Sequence, residues 1–114
     1  MTEKKIVIII NSSPFNSLNN YEALRSCMSF FDHETTIIWR KNGVYCSLNS
    51  VDNSATKPFI RNFDAMDINL YVDGQDIEER ELQSEDLIPE VEKLQRSDVL
   101  KIIKNADVVL SFWG

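Results

Sequence analysis

Two kinds of apolar pattern alternate along the chain. The first is a short continuous run, of which residues 6–10 (IVIII) are the clearest example. β-Branched residues without polar alternation are typical of a strand that is buried on both faces, as in the interior of a parallel sheet. Similar runs at residues 35–39, 68–72 and 108–112 predict three more strands.

The second pattern is a set of apolar residues at the three- and four-residue intervals of an amphipathic helix. It occurs at residues 24–31, 59–66 and 99–106. Asn19 stands three residues before Glu22, which is a capping-box spacing and predicts the start of the first helix. Ser97 is predicted to cap the last helix.

Two segments are less regular. Asn42-Gly43 between apolar residues is a strong hairpin signal, but residues 44–48 are also compatible with a short helix capped by Asn42. Residues 75–92 are mostly charged and offer only a short helix and a short edge strand.

Strands that alternate with helices predict the α/β class. We therefore expect a three-layer α/β/α architecture with a mostly parallel, five-stranded sheet. The length of 114 residues favours one domain over residues 1–114.

Charge and composition exclude several functions. The formal net charge of -6 provides no electrostatic basis for nonspecific binding to nucleic acid, and an anionic membrane surface would repel the chain. The longest apolar run is far too short to span a membrane. We expect a cytoplasmic protein with reduced cysteines.

Cofactor motifs are also missing. The three glycines cannot form a dinucleotide-binding or P-loop motif. His33, Cys27 and Cys46 show no zinc-ligand spacing. The sequence therefore predicts neither a cofactor nor a metal site.

Ligands of parallel α/β sheets bind at the carboxyl ends of the strands. The loop that starts at Ser12 and Ser13 and the Asn42-Gly43 turn are candidate ligand-binding positions there, because such loops offer backbone amides to anions. A solvated turn is the plainer interpretation. Asp73, at the end of the third predicted strand, suggests a phosphoacceptor, but the acidic residues and lysine that this chemistry requires are absent from the neighbouring strand ends.

The two cysteines receive different predictions. Cys27 lies on the apolar face of its helix, where we expect a core position. Cys46 is predicted in the first turn of a helix, where the helix N-terminus lowers the pKa of a thiol. It is a candidate persulfide site, with a packing role as the alternative.

Four segments carry a resemblance to a known family: residues 4–14 (KKIVIIINSSP), 22–24 (EAL), 42–45 (NGVY) and 105–112 (NADVVLSF). The chain resembles the DsrE/DsrF/DsrH sulfur-relay family, most closely its TusC/DsrF branch. The resemblance implies a cytoplasmic α/β domain that assembles with related subunits and takes part in persulfide transfer, towards 2-thiouridine in tRNA or in sulfur oxidation. It also favours a helix rather than a hairpin at Asn42-Gly43.

At one position the sequence differs from the pattern of the family. In the active subunits of the family a cysteine at the end of the third strand carries the sulfur, and the position that aligns with it here is Asp73. The resemblance thus implies a non-catalytic subunit whose partners are DsrE/TusD-like and DsrH/TusB-like subunits, or copies of itself. The alternatives are a persulfide carrier that uses Cys46, and a stand-alone binder of small ligands that uses the loop beginning at Ser12.

Overall fold

The computed structural model describes residues 3–13, 19–30, 33–49, 59–60, 62–63 and 67–112 of the chain. These residues form five strands: β1 (Lys5–Ile10), β2 (Glu34–Trp39), β3 (Asn69–Asp73), β4 (Glu92–Leu94) and β5 (Val108–Phe112). The α-helices are α1 (Asn19–Cys27), α2 (Gly74–Glu79) and α3 (Arg96–Lys104). Short 3₁₀ helices cover Met28–Phe30, Lys41–Ser47 and Ser84–Asp86.

The strands form one sheet in the order β4-β3-β2-β1-β5. Every pairing within it is parallel. The α/β prediction is confirmed, including the interior position of β1, of which only Lys5 is exposed. The short edge strand that we expected within residues 75–92 is β4, which begins only at Glu92, the last residue of that segment.

This strand order determines which face each helix covers. From β1 to β4 the chain moves across the sheet in one direction, and from β4 to β5 it returns to the other side. Because parallel crossovers are right-handed, a reversal of direction moves the connecting helix to the opposite face. α3 therefore lies alone, among the described helices, on the face opposite α1.

Two cores result. The α1 face carries the larger one, where Ile8, Ile10 and Trp39 of the sheet are fully buried with Leu24 of α1 and Ile77 of α2. The α3 face carries a smaller core, which consists of Val7, Ile9, Ile38 and Val99.

The segment after β2 is a 3₁₀ helix and not a hairpin, but the predicted cap is wrong. The helix begins at Lys41, and Asn42 lies inside it with its side chain directed to Arg80. The predicted cap of α3 is wrong as well. α3 begins at Arg96 after Gln95, whose carbonyl accepts from the backbone N–H groups of the first turn, so Ser97 lies within the helix.

Two predictions lie partly outside the described residues. The helix predicted over 59–66 is described only at residues 59, 60, 62 and 63, which are helical. Residues 14–18 of the loop that follows β1 are not described, and neither are the side chains of Asn19 and Met28. In the described part of the chain, no helix has the length and apolarity needed to cross a membrane.

Candidate functional site

The carboxyl edge of the sheet, where the strands end, holds a cluster of charged side chains around Asp73. Asp73 is the last residue of β3 and the N-cap of α2. Its Oδ1 accepts hydrogen bonds from the backbone N–H groups of Gln75, at 2.9 Å, and Asp76, at 3.3 Å. A side-chain oxygen at this position satisfies amides that the helix itself leaves without partners.

The second oxygen of Asp73 accepts from two arginines. Arg40 follows β2 and donates from Nε to Oδ2 over 3.3 Å, while Arg96 starts α3 and donates from Nε over 3.1 Å. The carboxylate side chain has 0% exposure, so it is a buried charge held by ionic and neutral donors together.

Asp76 extends the cluster by one helical turn. Arg96 donates from Nη2 to its Oδ1 over 2.8 Å, and Nη1 of Arg80 lies 3.6 Å from the same oxygen. The other oxygen accepts the backbone N–H of Lys41 at 2.8 Å. Lys41 has a φ of 51°, in the left-handed region that non-glycine residues seldom adopt, so this bond holds an unfavourable backbone conformation in place.

We call Arg40, Asp73, Asp76, Arg80 and Arg96 the carboxyl-edge network. Three guanidinium groups meet two buried carboxylates there, which leaves one net positive charge. Burial lowers the pKa of Arg96, but the hydrogen bonds and negative charges of the two aspartates outweigh it and raise that pKa above its ordinary value. Arg96 is thus ionised at neutral pH.

A cleft of about 640 Å³ lies beside the network. Arg96 and Leu94 form part of one wall and the first turns of α2 form the other. The two walls meet at Gly74, which has no side chain. A Cβ at this position would lie only 2.8 Å from the carbonyl oxygen of Leu94, which is too close.

Both cysteines of the chain are buried. Cys46 is 3% exposed and Cys27 is 0% exposed. Burial raises the pKa of each thiol to about 12, so each is protonated at neutral pH. The core prediction for Cys27 is confirmed. The prediction that Cys46 lies in a first helical turn with a lowered pKa is wrong, because the helix starts at Lys41 and Cys46 is the sixth of its seven residues.

A family profile for the DsrE/DsrF-like family matches residues 4–112, which is nearly the whole chain. The chain belongs to the DsrE/DsrF-like family.

Two solved structures share the fold of this DsrE/DsrF-like chain. The YchN protein from E. coli superimposes with a TM-score of 0.82 at 19% sequence identity, over 96% of this chain and 99% of YchN. A protein of unknown function from Methanobacterium thermoautotrophicum superimposes with a TM-score of 0.72 at 8% identity, over 97% of this chain and 100% of the other. At these identities the likeness concerns the fold alone. No curated protein sequence matches the chain.

The candidate ligand-binding residues of this DsrE/DsrF-like chain occupy different environments. Ser12 is buried, and its hydroxyl donates to the carbonyl of Phe112 over 3.4 Å. Ser13 is half-buried. Gly43 is buried against the backbone of β1, whereas Asn42 is exposed and accepts from Arg80 over 3.1 Å.

The described residues contain no group of three or more His, Cys, Asp or Glu side chains that could hold a metal ion.

Sequence reasoning found Asp73 in this DsrE/DsrF-like chain but missed its partners. The three arginines come from separate parts of the sequence, and only the tertiary structure brings them together. One local signal was available: Asp73 and Asp76 have the spacing of an N-cap and a third helical residue, which predicts a helix start at Gly74.

Proposed function

We propose that this chain is a non-catalytic, structural subunit of an intracellular sulfur-relay complex, of the TusC/DsrF kind. Membership of the DsrE/DsrF-like family supports the connection with sulfur transfer. One observation carries the non-catalytic role: neither of the two cysteines of the chain has an accessible thiol.

The chemistry of persulfide transfer explains why the accessibility of a thiol determines whether it can carry sulfur. A thiolate of the acceptor attacks the terminal sulfur of the donor persulfide, the sulfur–sulfur bond of the donor breaks, and the donor leaves as a thiolate. The attacking group must therefore be deprotonated and within reach of the donor. A thiol with a pKa of about 12 inside the core fulfils neither requirement.

Asp73 supports the same proposal. In the alignment that we propose, it stands where active subunits of the family carry the acceptor cysteine. A carboxylate cannot form a persulfide, and both of its oxygens already accept hydrogen bonds inside the carboxyl-edge network. In this interpretation the network stabilises the fold where an active subunit has its reactive group.

The proposed partners are cysteine-bearing DsrE/TusD-like and DsrH/TusB-like subunits, or further copies of this chain. The complex would serve persulfide transfer to 2-thiouridine in tRNA, or sulfur oxidation. We propose further that residues 1–114 act as one domain in this assembly, and that sulfur reaches its acceptor through the cysteines of the partners.

The test of the non-catalytic role is the intact mass of the reduced protein after incubation with a persulfide donor. We expect no added sulfur on the folded wild-type chain, nor on Cys46→Ala or Cys27→Ala. The same chain unfolded in urea should gain sulfur, which shows that its thiols are intact. A gain on the folded chain that disappears only in Cys46→Ala would instead establish the persulfide carrier and overturn the proposal.

A second experiment tests the assembly. The chain is co-expressed with cysteine-bearing homologues from the same source and analysed by size-exclusion chromatography. We expect a stable complex, whose cysteine-bearing subunit gains sulfur from the donor. A chain that remains monomeric both alone and with every homologue would contradict the proposed role.

A further inference from the structure

A second concave site lies on the α3 face, at the amino edge of the sheet where the strands begin. It is a groove of about 210 Å³. Its lining includes Val7, Thr36, Asn69, Tyr71, Lys101 and Ile102. The carboxyl-edge network lies at the other end of the strands, so the groove is independent of the function proposed above.

The topology explains why the groove is there. α3 returns the chain from the carboxyl edge to the amino edge, so it runs antiparallel to the strands and ends at Lys104. Strand register places Val7, Thr36 and Asn69 in one row across β1, β2 and β3. Side chains near the C-terminal end of α3 border this row and leave the groove between helix and sheet.

The groove combines an apolar surface with a polar rim. Val7 and Thr36 are 3% and 7% exposed and form its floor, with Ile102 as an apolar wall. Asn69 donates from its side-chain amide to the hydroxyl of Thr36 over 3.4 Å. Tyr71 is half-buried at the side.

Several polar side chains at this rim lack partners in the part of the chain that the structure describes. The side chains of Lys5, Lys101 and Glu34 make no hydrogen bond or ion pair with described residues, although all three line the groove. Lys5 and Glu34 are neighbours across β1 and β2, but the ammonium nitrogen of Lys5 lies more than 4.0 Å from the carboxylate oxygens of Glu34. This contrasts with the carboxyl-edge network, where each charged group is paired.

The lysines of the lining offer sites for an anion. Lys5 and Lys101 line the groove together with Glu34. Burial raises the pKa of Tyr71, and so do the charges of Glu92 and Glu34, so its hydroxyl is a neutral donor at neutral pH. Two ammonium groups and this hydroxyl beside an apolar floor suit a ligand with an apolar body and a negatively charged end that meets the lysines.

We propose that this groove binds a small organic carboxylate, whose apolar body lies on Val7 and Ile102 and whose carboxylate meets Lys101 and Lys5. The size limits the ligand further. A volume of about 210 Å³ equals that of roughly seven liquid waters at about 30 Å³ each. It is smaller than pockets for drug-sized ligands, which start at about 300 Å³. The groove therefore suits a small metabolite acid.

The experiment is an NMR titration of the isotope-labelled full chain with hexanoate and benzoate, and with the neutral amides hexanamide and benzamide as size-matched controls. We expect the two acids to shift the backbone amide signals of Val7, Thr36 and Tyr71 at millimolar concentration. The two amides should bind more weakly, because they have the same body but no charge.

Variants test the role of the charge. Lys101→Gln should weaken binding of the acids about three- to fivefold, which is the effect of one exposed ion pair. Lys104→Gln, on the same helix but outside the groove, should leave the affinity unchanged. Both positions are exposed, so both variants should fold.

Three results would overturn the proposal. The first is the absence of shifts with either acid. The second is a set of shifts located away from the groove. The third is equal binding of acids and amides, because it would mean an apolar contact without recognition of a carboxylate.

Discussion

At Gly43 the backbone of the 3₁₀ helix approaches the end of β1 so closely that no side chain fits between them. A Cβ there would lie 2.8 Å from the carbonyl carbon of Ile10 and closer still to its oxygen. No described glycine has a positive φ, so Gly43 is required for this close approach and not for a turn. This explains why the hairpin signal of Asn42-Gly43 was misleading.

Gly43→Ala should lower the free energy of unfolding by about 3 kcal/mol, since neither backbone can move without disturbing an interior strand. Gly74→Ala is the matched control. Its Cβ would meet the backbone of the three-residue edge strand β4, which can shift, and we expect a loss of about 1 kcal/mol. Urea unfolding measures both values. Equal losses would show that the approach at Gly43 is no tighter than that at Gly74.

The buried thiols make stability depend on alkaline pH. The pKa of Cys46 is raised from its ordinary value of 9.0 to about 12 by burial. Between these values the unfolded chain releases a proton that the folded chain retains. The free energy of unfolding therefore falls as pH rises from 9 towards 12, by up to about 1.4 kcal/mol per pH unit for each such thiol. Below pH 9 the thiol is protonated in both states, and its stabilising effect is fully present.

Urea unfolding at pH 8 and at a pH near 10.5 checks this prediction. Cys46→Ala should lose less stability between the two pH values than the wild type does. The other titrating groups are common to both proteins and cancel in the comparison. An identical pH dependence would mean that Cys46 titrates normally in the folded chain.

At the scale of elements, the carboxyl-edge network joins α2 and α3, which pack in different cores. It connects the ends of β2 and β3 to the first turns of α2 and α3 through two buried carboxylates. A buried charge without partners is strongly destabilising, so each member depends on the others. The network therefore determines how α2 and α3 leave the sheet.

Asp73→Ala should lower the free energy of unfolding by about 3 to 5 kcal/mol, because it leaves Arg40 and Arg96 without their shared partner and removes the cap of α2. Glu22→Ala is the control. It breaks the exposed ion pair with Arg25 on α1, and its cost should be about 0.5 kcal/mol. Similar effects of the two substitutions in urea unfolding would contradict a structural role of the network.

At the scale of the whole molecule, the strand order divides the surface into two different regions. The sheet direction brings arginines and aspartates together at the carboxyl edge, where they pair and leave one net positive charge. The single described helix on the α3 face leaves the amino edge partly uncovered, with lysines around an apolar floor. Structural and ligand-binding roles are therefore expected at opposite ends of the same strands.

The chain should unfold as one cooperative unit, because both cores share the strands of a single sheet. The measurement uses Trp113→Phe, which leaves the fully buried Trp39 as the only tryptophan. The transitions followed by far-UV circular dichroism and by Trp39 emission should coincide in urea. Separate midpoints would indicate that the two faces unfold independently.

Much of the fold could be predicted from the sequence because its signals are local. Residues 6–10 and 108–112 are apolar runs that form strands in any parallel α/β context. Helix starts were harder to predict. The start of α3 at Arg96 and of the 3₁₀ helix at Lys41 depends on backbone carbonyls and on contacts with Asp76, which outweigh the propensity of Ser97 or Asn42 to cap.

The sequence by itself determined the class of fold, the interior position of β1 and the presence of Asp73 at a strand end, since each follows from neighbouring residues. Only the tertiary structure decided what surrounds Asp73 and how deeply Cys46 is buried. Arg40 is 33 positions from Asp73 and Arg96 is 23 positions from it. Charge pairing and desolvation depend on distance in space, and the crossovers of the sheet set those distances over stretches of chain that no local pattern spans.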